Sequence, residues 1–184
     1  FNQADLGINF CDNAAPVLLT PTPTPGGGSF SSTPPGNVNT TWFEPSVVGA
    51  GTYNIIYTYT NPVTGCSNTL TSQNIKVNAA PVVDITDLNP AYCKDSPTFT
   101  ITGDPTSGTM GPGFFTFPLA WVPGSEYVDN GDGNAGITPA NINPTGTFNV
   151  TYSVADLNGC TGTKTETFTV NQLPTVDFNG LPAT

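Results

Sequence analysis

The feature that most constrains the fold is an internal repeat. Residues 51–58 (GTYNIIYT) match residues 146–153 (GTFNVTYS) position for position, and each run leads to a Gly-Cys pair, at Cys66 and Cys160. A match of this kind means that one structural pattern is used twice along the chain. Any fold must therefore contain two similar units.

The repeat also sets the expected domain boundaries. We place the first repeat at residues 1–79 and the second at residues 80–172. A third copy begins near the end of the chain, because PTVD at 174–177 repeats PVVD at 81–84. We expect residues 173–184 to be the first strand of a following repeat, or a donor strand that completes a neighbouring subunit. The chain then represents a segment of a longer repeat array.

The pattern inside each repeat predicts β-strands. Apolar Phe148, Val150 and Tyr152 alternate with polar residues, which gives a strand one apolar face. Many such runs are separated by Gly, Pro and Asn clusters, and helix is expected to be almost absent. We predict an all-β chain of two tandem antiparallel sandwiches with about seven strands each. The apolar alternation slips between Leu70 and Ile75, which predicts a bulge there.

Composition excludes several functions. The chain has 184 residues, a formal net charge of −10, three cationic side chains and no histidine. Nucleic acid binding is excluded because neutralising phosphates requires several cations. Without histidine, Ser–His and Cys–His catalytic pairs are excluded as well. No apolar stretch reaches the roughly 18 residues that a membrane span needs.

The four cysteines occupy equivalent positions, since Cys11 matches Cys93 and Cys66 matches Cys160. If each repeat folds alone, Cys11 bonds to Cys66 and Cys93 bonds to Cys160, giving one intradomain disulfide in each unit. Free thiols and a zinc site are the alternatives, and the lack of CxxC spacing argues against zinc. Disulfides imply an oxidising compartment such as the periplasm, the cell surface or the medium.

Several short motifs together resemble a known family. They are Leu-x4-Cys, a Gly-Gly-x-Phe-like segment, Phe-x-Pro, Gly-Thr-Tyr-x-Ile-x-Tyr, and a Gly-Cys turn followed by a strand ending in Ile-x-Val. This combination resembles the PKD-like or immunoglobulin-like tandem repeats of large Bacteroidota cell-surface proteins, including gliding adhesins. The resemblance implies immunoglobulin-like sandwiches and export to the outside of the cell. The Trp-Asp-Phe-Gly-Asp-Gly motif of standard PKD domains is missing, so the PKD-like variant is the better description.

One segment suggests a calcium site. Residues 129–134 (DNGDGN) offer Asp129 and Asp132 as oxygen ligands in a tight loop, which suits calcium. The spacing departs from the D-x-[DN]-x-[DN]-G rule, and Asn-Gly and Asp-Gly also build ordinary turns. Both interpretations stay open, and no cofactor other than calcium is expected.

A second segment suggests a contact surface. Phe114, Phe115, Phe117 and Trp121 form an aromatic cluster in a long connection of the second repeat. Such residues either pack in a core or present a platform to a glycan or a neighbouring subunit. Exposure of these side chains would favour binding, and burial would favour packing.

These observations favour a non-enzymatic structural role. We expect a repeat segment of an extracellular bacterial adhesin, stalk or filament, whose partners are copies of itself or neighbouring repeats. A glycan- or ligand-binding module is one alternative, and an accessory domain of a secreted multidomain enzyme is another. The acidic charge would keep such an array soluble.

Overall fold

The structure, a computed structural model, describes residues 9–20, 27–36, 38–39, 41–105 and 113–177. The chain folds into two compact units. Unit 1 comprises Phe1–Pro81 together with Asn158–Cys160, and unit 2 comprises Val82–Leu157 together with Thr161–Thr184. The turn Asn158–Cys160 therefore belongs to unit 1, although its sequence lies inside the second repeat.

Unit 1 consists of two small sheets and one helical turn, α1. The larger sheet has the order β1-β8-β6-β3, with β7 also paired to β6, and the smaller has the order β2-β5-β4. The elements are β1 Asn9–Cys11, β2 Val17–Leu18, β3 Ser29–Thr33, β4 Val38–Asn39, β5 Trp42–Phe43, α1 Pro45–Val48, β6 Gly51–Thr60, β7 Ser67–Thr71 and β8 Ile75–Asn78.

Unit 2 is built from two four-stranded sheets. Their orders are β10-β16-β15-β12 and β13-β14-β11-β9. The elements are β9 Asp84–Thr86, β10 Ala91–Cys93, β11 Phe99–Asp104, β12 Phe114–Thr116, β13 Tyr127–Asp129, β14 Asn134–Ile137, a 3-10 turn at Pro139–Asn141, β15 Gly146–Ala155 and β16 Thr161–Asn171. The prediction of an all-β chain with packed β-sheets is confirmed.

Each unit has its own apolar core, supplied by the inward faces of the alternating strands. In unit 1, Tyr53, Ile55 and Tyr57 of β6 are buried against the smaller sheet, where Phe43 is fully buried. In unit 2, Val150, Tyr152 and Val154 of β15 are fully buried. The period-2 pattern found in the sequence therefore marks the core face of the central strand in both units.

One strand pair in each unit runs parallel, whereas the prediction was of antiparallel sandwiches. The first strand of unit 1, β1, pairs in parallel with the last, β8, so that Cys11 lies opposite Asn78. In unit 2, β10 pairs in parallel with β16, so that Cys93 lies opposite Asn171. The early strand covers an edge that the last strand would otherwise leave open.

The irregularity predicted between Leu70 and Ile75 appears as a gap between β7 and β8. Ser72 fills this gap. Its backbone N–H donates to the Ile55 carbonyl oxygen at 2.7 Å, and its hydroxyl oxygen accepts the Ile55 N–H at 2.8 Å. Unit 2 has no such gap, because β16 runs unbroken from Thr161 to Asn171.

The expected extra strand at the end of the chain lies only in part within the described residues. Of residues 173–184, the structure describes 173–177, and these form no strand. The first-strand or donor-strand role of this segment stays a prediction.

Candidate functional site

The pairing of the four cysteines differs from the prediction. Cys11 is bonded to Cys160, with an S–S distance of 2.08 Å, a Cα–Cα distance of 5.4 Å and a sequence separation of 149 residues. Cys66 and Cys93 are free thiols, and both are exposed. The predicted bonds of Cys11 with Cys66 and of Cys93 with Cys160 are therefore wrong.

The register of unit 1 explains why its own two cysteines do not pair. Cys11 lies opposite Asn78 of β8. Val77, the residue before Asn78, pairs with Gly51 at the start of β6. Cys66 immediately precedes β7, whose first residue pairs with Thr60 at the other end of β6. A ten-residue strand spans about 30 Å, whereas a disulfide needs Cα atoms within about 7 Å.

Unit 2 separates its equivalent residues in the same way. Cys93 lies opposite Asn171 of β16, next to the residue that pairs with Gly146 at the start of β15. Cys160 immediately precedes Thr161, which pairs with the last residue of β15. The two cysteines of each repeat therefore lie at opposite ends of a long strand and do not come within disulfide reach of each other.

The observed bridge lies in an ordered polar setting at the end of β8. The Asn78 carbonyl oxygen accepts the Asp12 N–H at 2.8 Å, and the Sγ atom of Cys160 lies 4.0 Å from the same oxygen. The Asn78 side chain donates to the Phe10 carbonyl oxygen at 3.3 Å, and Asp12 accepts the Ala80 N–H at 2.8 Å. Cys160 is fully buried there.

Cys93 has a backbone frame that repeats the frame around Cys11. The Cys93 carbonyl oxygen accepts the Ser96 N–H at 2.9 Å, as that of Cys11 accepts the Ala14 N–H at 3.0 Å. The next residue, Lys94, donates its N–H to the Asn171 carbonyl oxygen at 2.9 Å.

Cys66 ends the six-residue turn between β6 and β7, and Cys160 ends the five-residue turn between β15 and β16. A glycine precedes each cysteine. Gly65 has φ of 70° and Gly159 has φ of 81°, a left-handed conformation that favours glycine. The turn is closed by the Gly65 N–H, which donates to the Asn61 carbonyl oxygen at 2.8 Å, and by the Asn61 N–H, which donates to the Cys66 carbonyl oxygen at 2.9 Å.

Asp129 and Asp132 act as turn-forming residues in the structure. Asp129 accepts the Phe115 N–H and the Gly131 N–H, both at 3.0 Å. Asp132 accepts the Asn134 N–H at 3.0 Å. Across the described ranges, no group of three or more Cys, Asp or Glu side chains is arranged to hold a metal ion. Calcium binding stays a prediction.

Most of the predicted aromatic surface is buried. Phe115, Phe117 and Trp121 lie in the core of unit 2, where Phe117 stacks on Tyr127 with ring centroids 4.1 Å apart. Only Phe114 of the four is exposed, at 52%. The alternation along β12 explains the difference, because neighbouring residues of a strand point to opposite faces. The four side chains therefore do not form one continuous platform.

Sequence reasoning did not identify Tyr152 as a residue with unusual chemistry. Burial raises the pKa of its phenol, and the nearby charges of Asp129, Asp104 and Asp132 raise this pKa further. The hydroxyl donates to the Pro105 carbonyl oxygen at 3.0 Å. This is a structural contact in the core.

Among the helices that the structure describes, none is long and apolar enough to cross a membrane.

No protein-family model and no curated protein matches this chain. Solved structures similar to it include a Ca²⁺-stabilised adhesin that helps an Antarctic bacterium bind ice, at 14% identity and a TM-score of 0.33 over 91% of this chain and 47% of the adhesin chain. Murine CEACAM1b has 11% identity and a TM-score of 0.36, over 90% and 96% of the two chains.

A third similar structure is SGBP-B of the Bacteroides ovatus mixed-linkage glucan utilisation locus, with 16% identity and a TM-score of 0.27, over 89% of this chain and 42% of that one. The chain spans about half the length of the adhesin chain and less than half of the SGBP-B chain. Likenesses this distant leave the function to be argued from the chain's own residues.

Proposed function

We propose that the chain is a structural segment of an extracellular bacterial surface array, of the stalk or filament type, that resists extension under tension. The observation that carries this proposal is the Cys11–Cys160 bridge. It joins the first strand of one sequence repeat to the central turn of the next repeat.

The bridge shortens the covalent path between the two ends of the chain. A pulling force applied at both ends passes from Cys11 through the sulfur atoms to Cys160. Residues 12–159 lie outside this covalent path, so the backbone of β6 and of β15 cannot be drawn out between the two ends while the bond is intact. This follows from covalent connectivity alone, and it suits a protein whose task is to keep its length.

The surface chemistry supports an extracellular, non-enzymatic role. The long β15–β16 hairpin carries threonines on its outer face, and Thr151 and Thr165 share a hydrogen bond of 2.8 Å across it. Such hydroxyls suit a solvated sheet face. A formal charge of −10 with three lysines opposes collapse of neighbouring repeats onto one another. A structural disulfide is typical of the space outside the cytoplasm.

Single-molecule force spectroscopy tests the proposal. The protein is held by its two ends as the double variant Cys66→Ser, Cys93→Ser, which retains the observed bridge. We expect the fully extended oxidised protein to be about 500 Å shorter than the fully extended reduced protein. The bridge closes a loop between two residues that are 149 positions apart, and this loop cannot be extended while the bond is intact.

The triple variant that also carries Cys11→Ser is the matched control, and we expect it to extend fully with or without reductant. Equal extension of the oxidised double variant and the triple variant would contradict the proposed function. Non-reduced peptide mapping of the same sample shows which cysteines are bonded. A sample in which the Cys11–Cys160 bond has not formed is therefore recognised directly.

A further inference from the structure

We propose that Asn130 is a site of self-modification, at which the backbone nitrogen of Gly131 attacks the Asn130 side chain and converts it to aspartate or isoaspartate. The carboxylate of Asp129 acts as the base. The substrate is the chain's own side-chain amide, and water is the only co-reactant. The proposal is independent of the proposed function, because it concerns a turn of unit 2 and not the disulfide.

The described part of the chain contains the dipeptide Asn-Gly twice, at residues 130–131 and at residues 158–159. A third Asn-Gly, at 179–180, lies outside the described residues. Glycine after asparagine favours attack on the side chain, because no Cβ atom hinders the approach of the glycine nitrogen. By sequence alone, the two described dipeptides are equally suited to this reaction.

The two dipeptides are also alike in backbone conformation and in exposure. Gly131 has φ of 71° and Gly159 has φ of 81°, so both glycines are left-handed. Both asparagines and both glycines are exposed, which gives water access to each site. Neither conformation nor accessibility therefore distinguishes the two sites.

The two sites differ at the nitrogen that would react. The Gly131 N–H donates to the Asp129 Oδ1 atom at 3.0 Å, within the distance of about 2.6–3.2 Å over which a base takes a proton. Within the part of the chain that the structure describes, the Gly159 N–H has no hydrogen-bond acceptor. Only the first site therefore holds a carboxylate against the attacking nitrogen.

A second hydrogen bond fixes the orientation of this carboxylate. The Asp129 Oδ2 atom accepts the Phe115 N–H at 3.0 Å, across from β13 to β12. With one oxygen held by Phe115, the other oxygen is directed at the Gly131 nitrogen. A base that is already in place before the reaction lowers the entropy cost of the proton transfer.

The Asn130 side chain is not held elsewhere. Its amide makes no hydrogen bond to any residue that the structure describes, although its backbone N–H donates to the Asn134 carbonyl oxygen at 3.1 Å. The Asn134 amide, in the same turn, is held by the Asp132 Oδ1 atom at 3.3 Å and by the Thr102 hydroxyl at 3.0 Å. The amide of Asn130 is therefore the one in this turn that can rotate onto the Gly131 nitrogen.

The reaction proceeds in two steps. The Gly131 nitrogen gives its proton to Asp129 and bonds to the Asn130 Cγ atom, which closes a succinimide ring. The proton passes to the amide nitrogen of Asn130, the Cγ–N bond breaks, and ammonia leaves. Water then adds to either ring carbonyl and opens the ring, which gives aspartate, or isoaspartate in which the backbone runs through Cγ. One water is consumed, one ammonia is released, and nothing is oxidised or reduced.

Both products change the turn between β13 and β14. Each adds a carboxylate between Asp129 and Asp132. Isoaspartate also adds one carbon to the backbone of the turn that the Asn130 N–H closes on Asn134. Since no enzyme is required, the modified fraction should grow with the age of the folded protein.

The test compares the two Asn-Gly sites within one molecule. The full 184-residue protein is held folded at neutral pH, sampled over time, and analysed by peptide mapping with mass spectrometry. We expect the rate at Asn130 to exceed the rate at Asn158 by about 100-fold, the lower end of what a positioned base contributes. The same measurement in urea should give a smaller ratio, because unfolding releases Asp129 from its position. Equal rates at the two sites of the folded protein, or a slower rate at Asn130, would overturn the proposal.

Two variants test the role of Asp129. Asp129→Ser removes the carboxylate, and we expect the modification of Asn130 to slow to the rate at Asn158. Asp132→Ser is the matched control, because Asp132 bonds to Asn134 and not to Gly131, and we expect it to leave the rate at Asn130 unchanged. Thermal melting shows whether both variants are folded. An unchanged rate in folded Asp129→Ser would overturn the assignment of the base, and if this variant does not fold, the comparison of the two sites in the parent still decides.

Discussion

The hydroxyl of Tyr53 donates a hydrogen bond to the Val48 carbonyl oxygen, 2.7 Å away and five residues earlier in the chain. The same hydroxyl also lies 3.1 Å from the Gly49 carbonyl oxygen. A tyrosine near the start of a long strand that bonds back to the preceding backbone is a recurrent feature of immunoglobulin-type sandwiches. The second repeat has Phe148 at the equivalent position, so unit 1 alone makes this bond.

Tyr53→Phe should therefore destabilise unit 1. We expect a loss of about 1 kcal/mol in the free energy of unfolding, the usual net value of one hydrogen bond. Chemical denaturation followed by circular dichroism measures it. Tyr57→Phe is the matched control on the same face of β6, because the Tyr57 hydroxyl is buried and has no hydrogen-bond partner among the described residues. We expect Tyr57→Phe to leave stability unchanged or to raise it, and a larger loss from Tyr57→Phe than from Tyr53→Phe would contradict this assignment.

The buried phenol of Tyr152 should make unit 2 sensitive to alkali. Its pKa in the folded protein is raised above the ordinary value of about 10, first by burial and then by nearby carboxylates. The unfolded chain therefore loses this proton at a lower pH than the folded chain. The stability that the neutral Tyr152 phenol contributes is present below about pH 10, and it is lost as the pH rises through the pKa of this phenol in the folded protein.

Urea unfolding at a series of pH values from neutral to strongly alkaline checks this dependence. We expect Tyr152→Phe to be less stable at neutral pH, since it loses the hydrogen bond to Pro105, and to show a flatter decline above about pH 10. A variant that declines as steeply as the parent would show that other groups cause the alkaline loss.

The ring of Tyr152 also leaves no room for a side chain at Gly103. A Cβ atom built on this residue of β11 would overlap the ring. Gly103→Ala should therefore cost about 1–3 kcal/mol, as overpacking of a core does. Gly136→Ala on the neighbouring strand β14 is the control, because the nearest atom to its added Cβ is the Thr98 methyl group at 3.9 Å. We expect the control to be neutral or slightly stabilising, and thermal melting of the two variants separates the effects.

Asp129 should matter for stability whether or not a metal is added. Asp129→Ala removes the acceptor for the Phe115 N–H, which links β13 to β12, and we expect a loss of about 1–3 kcal/mol. Asp132→Ala should cost less, because Asp132 bonds only within its own exposed turn. Melting curves with and without calcium complete the test. A stabilisation by calcium that both variants abolish would contradict a purely turn-forming role and support the calcium site.

The strands and their core faces were predictable because the alternation of apolar residues carries that information directly. The two repeats also correspond between the strands, where Phe43-Glu44-Pro45 and Ile137-Thr138-Pro139 precede the Gly-Thr-aromatic runs. In both, a short helical turn follows a residue with almost the same backbone angles, φ −115° and ψ 93° at Glu44 and φ −112° and ψ 94° at Thr138.

The disulfide pairing was not predictable in the same way. Alternation shows which face of a strand is buried, but it does not show at which end of the sheet a cysteine lies. That depends on β1 running parallel to β8, a non-local pairing that no short motif encodes. The exposure of the aromatic segment was not predictable for the same reason. The sequence shows Phe114 and Phe115 as neighbours, and only their positions in β12 decide which of the two is exposed.

The bridge from Cys11 to Cys160 has a consequence for survival among proteases. A single cut of the backbone anywhere between these residues leaves two fragments that stay attached to each other through sulfur. Surface loops are where such nicks occur. A molecule clipped once in this region would still transmit a pull from one end to the other, and it would separate only after a reductant reached the bond.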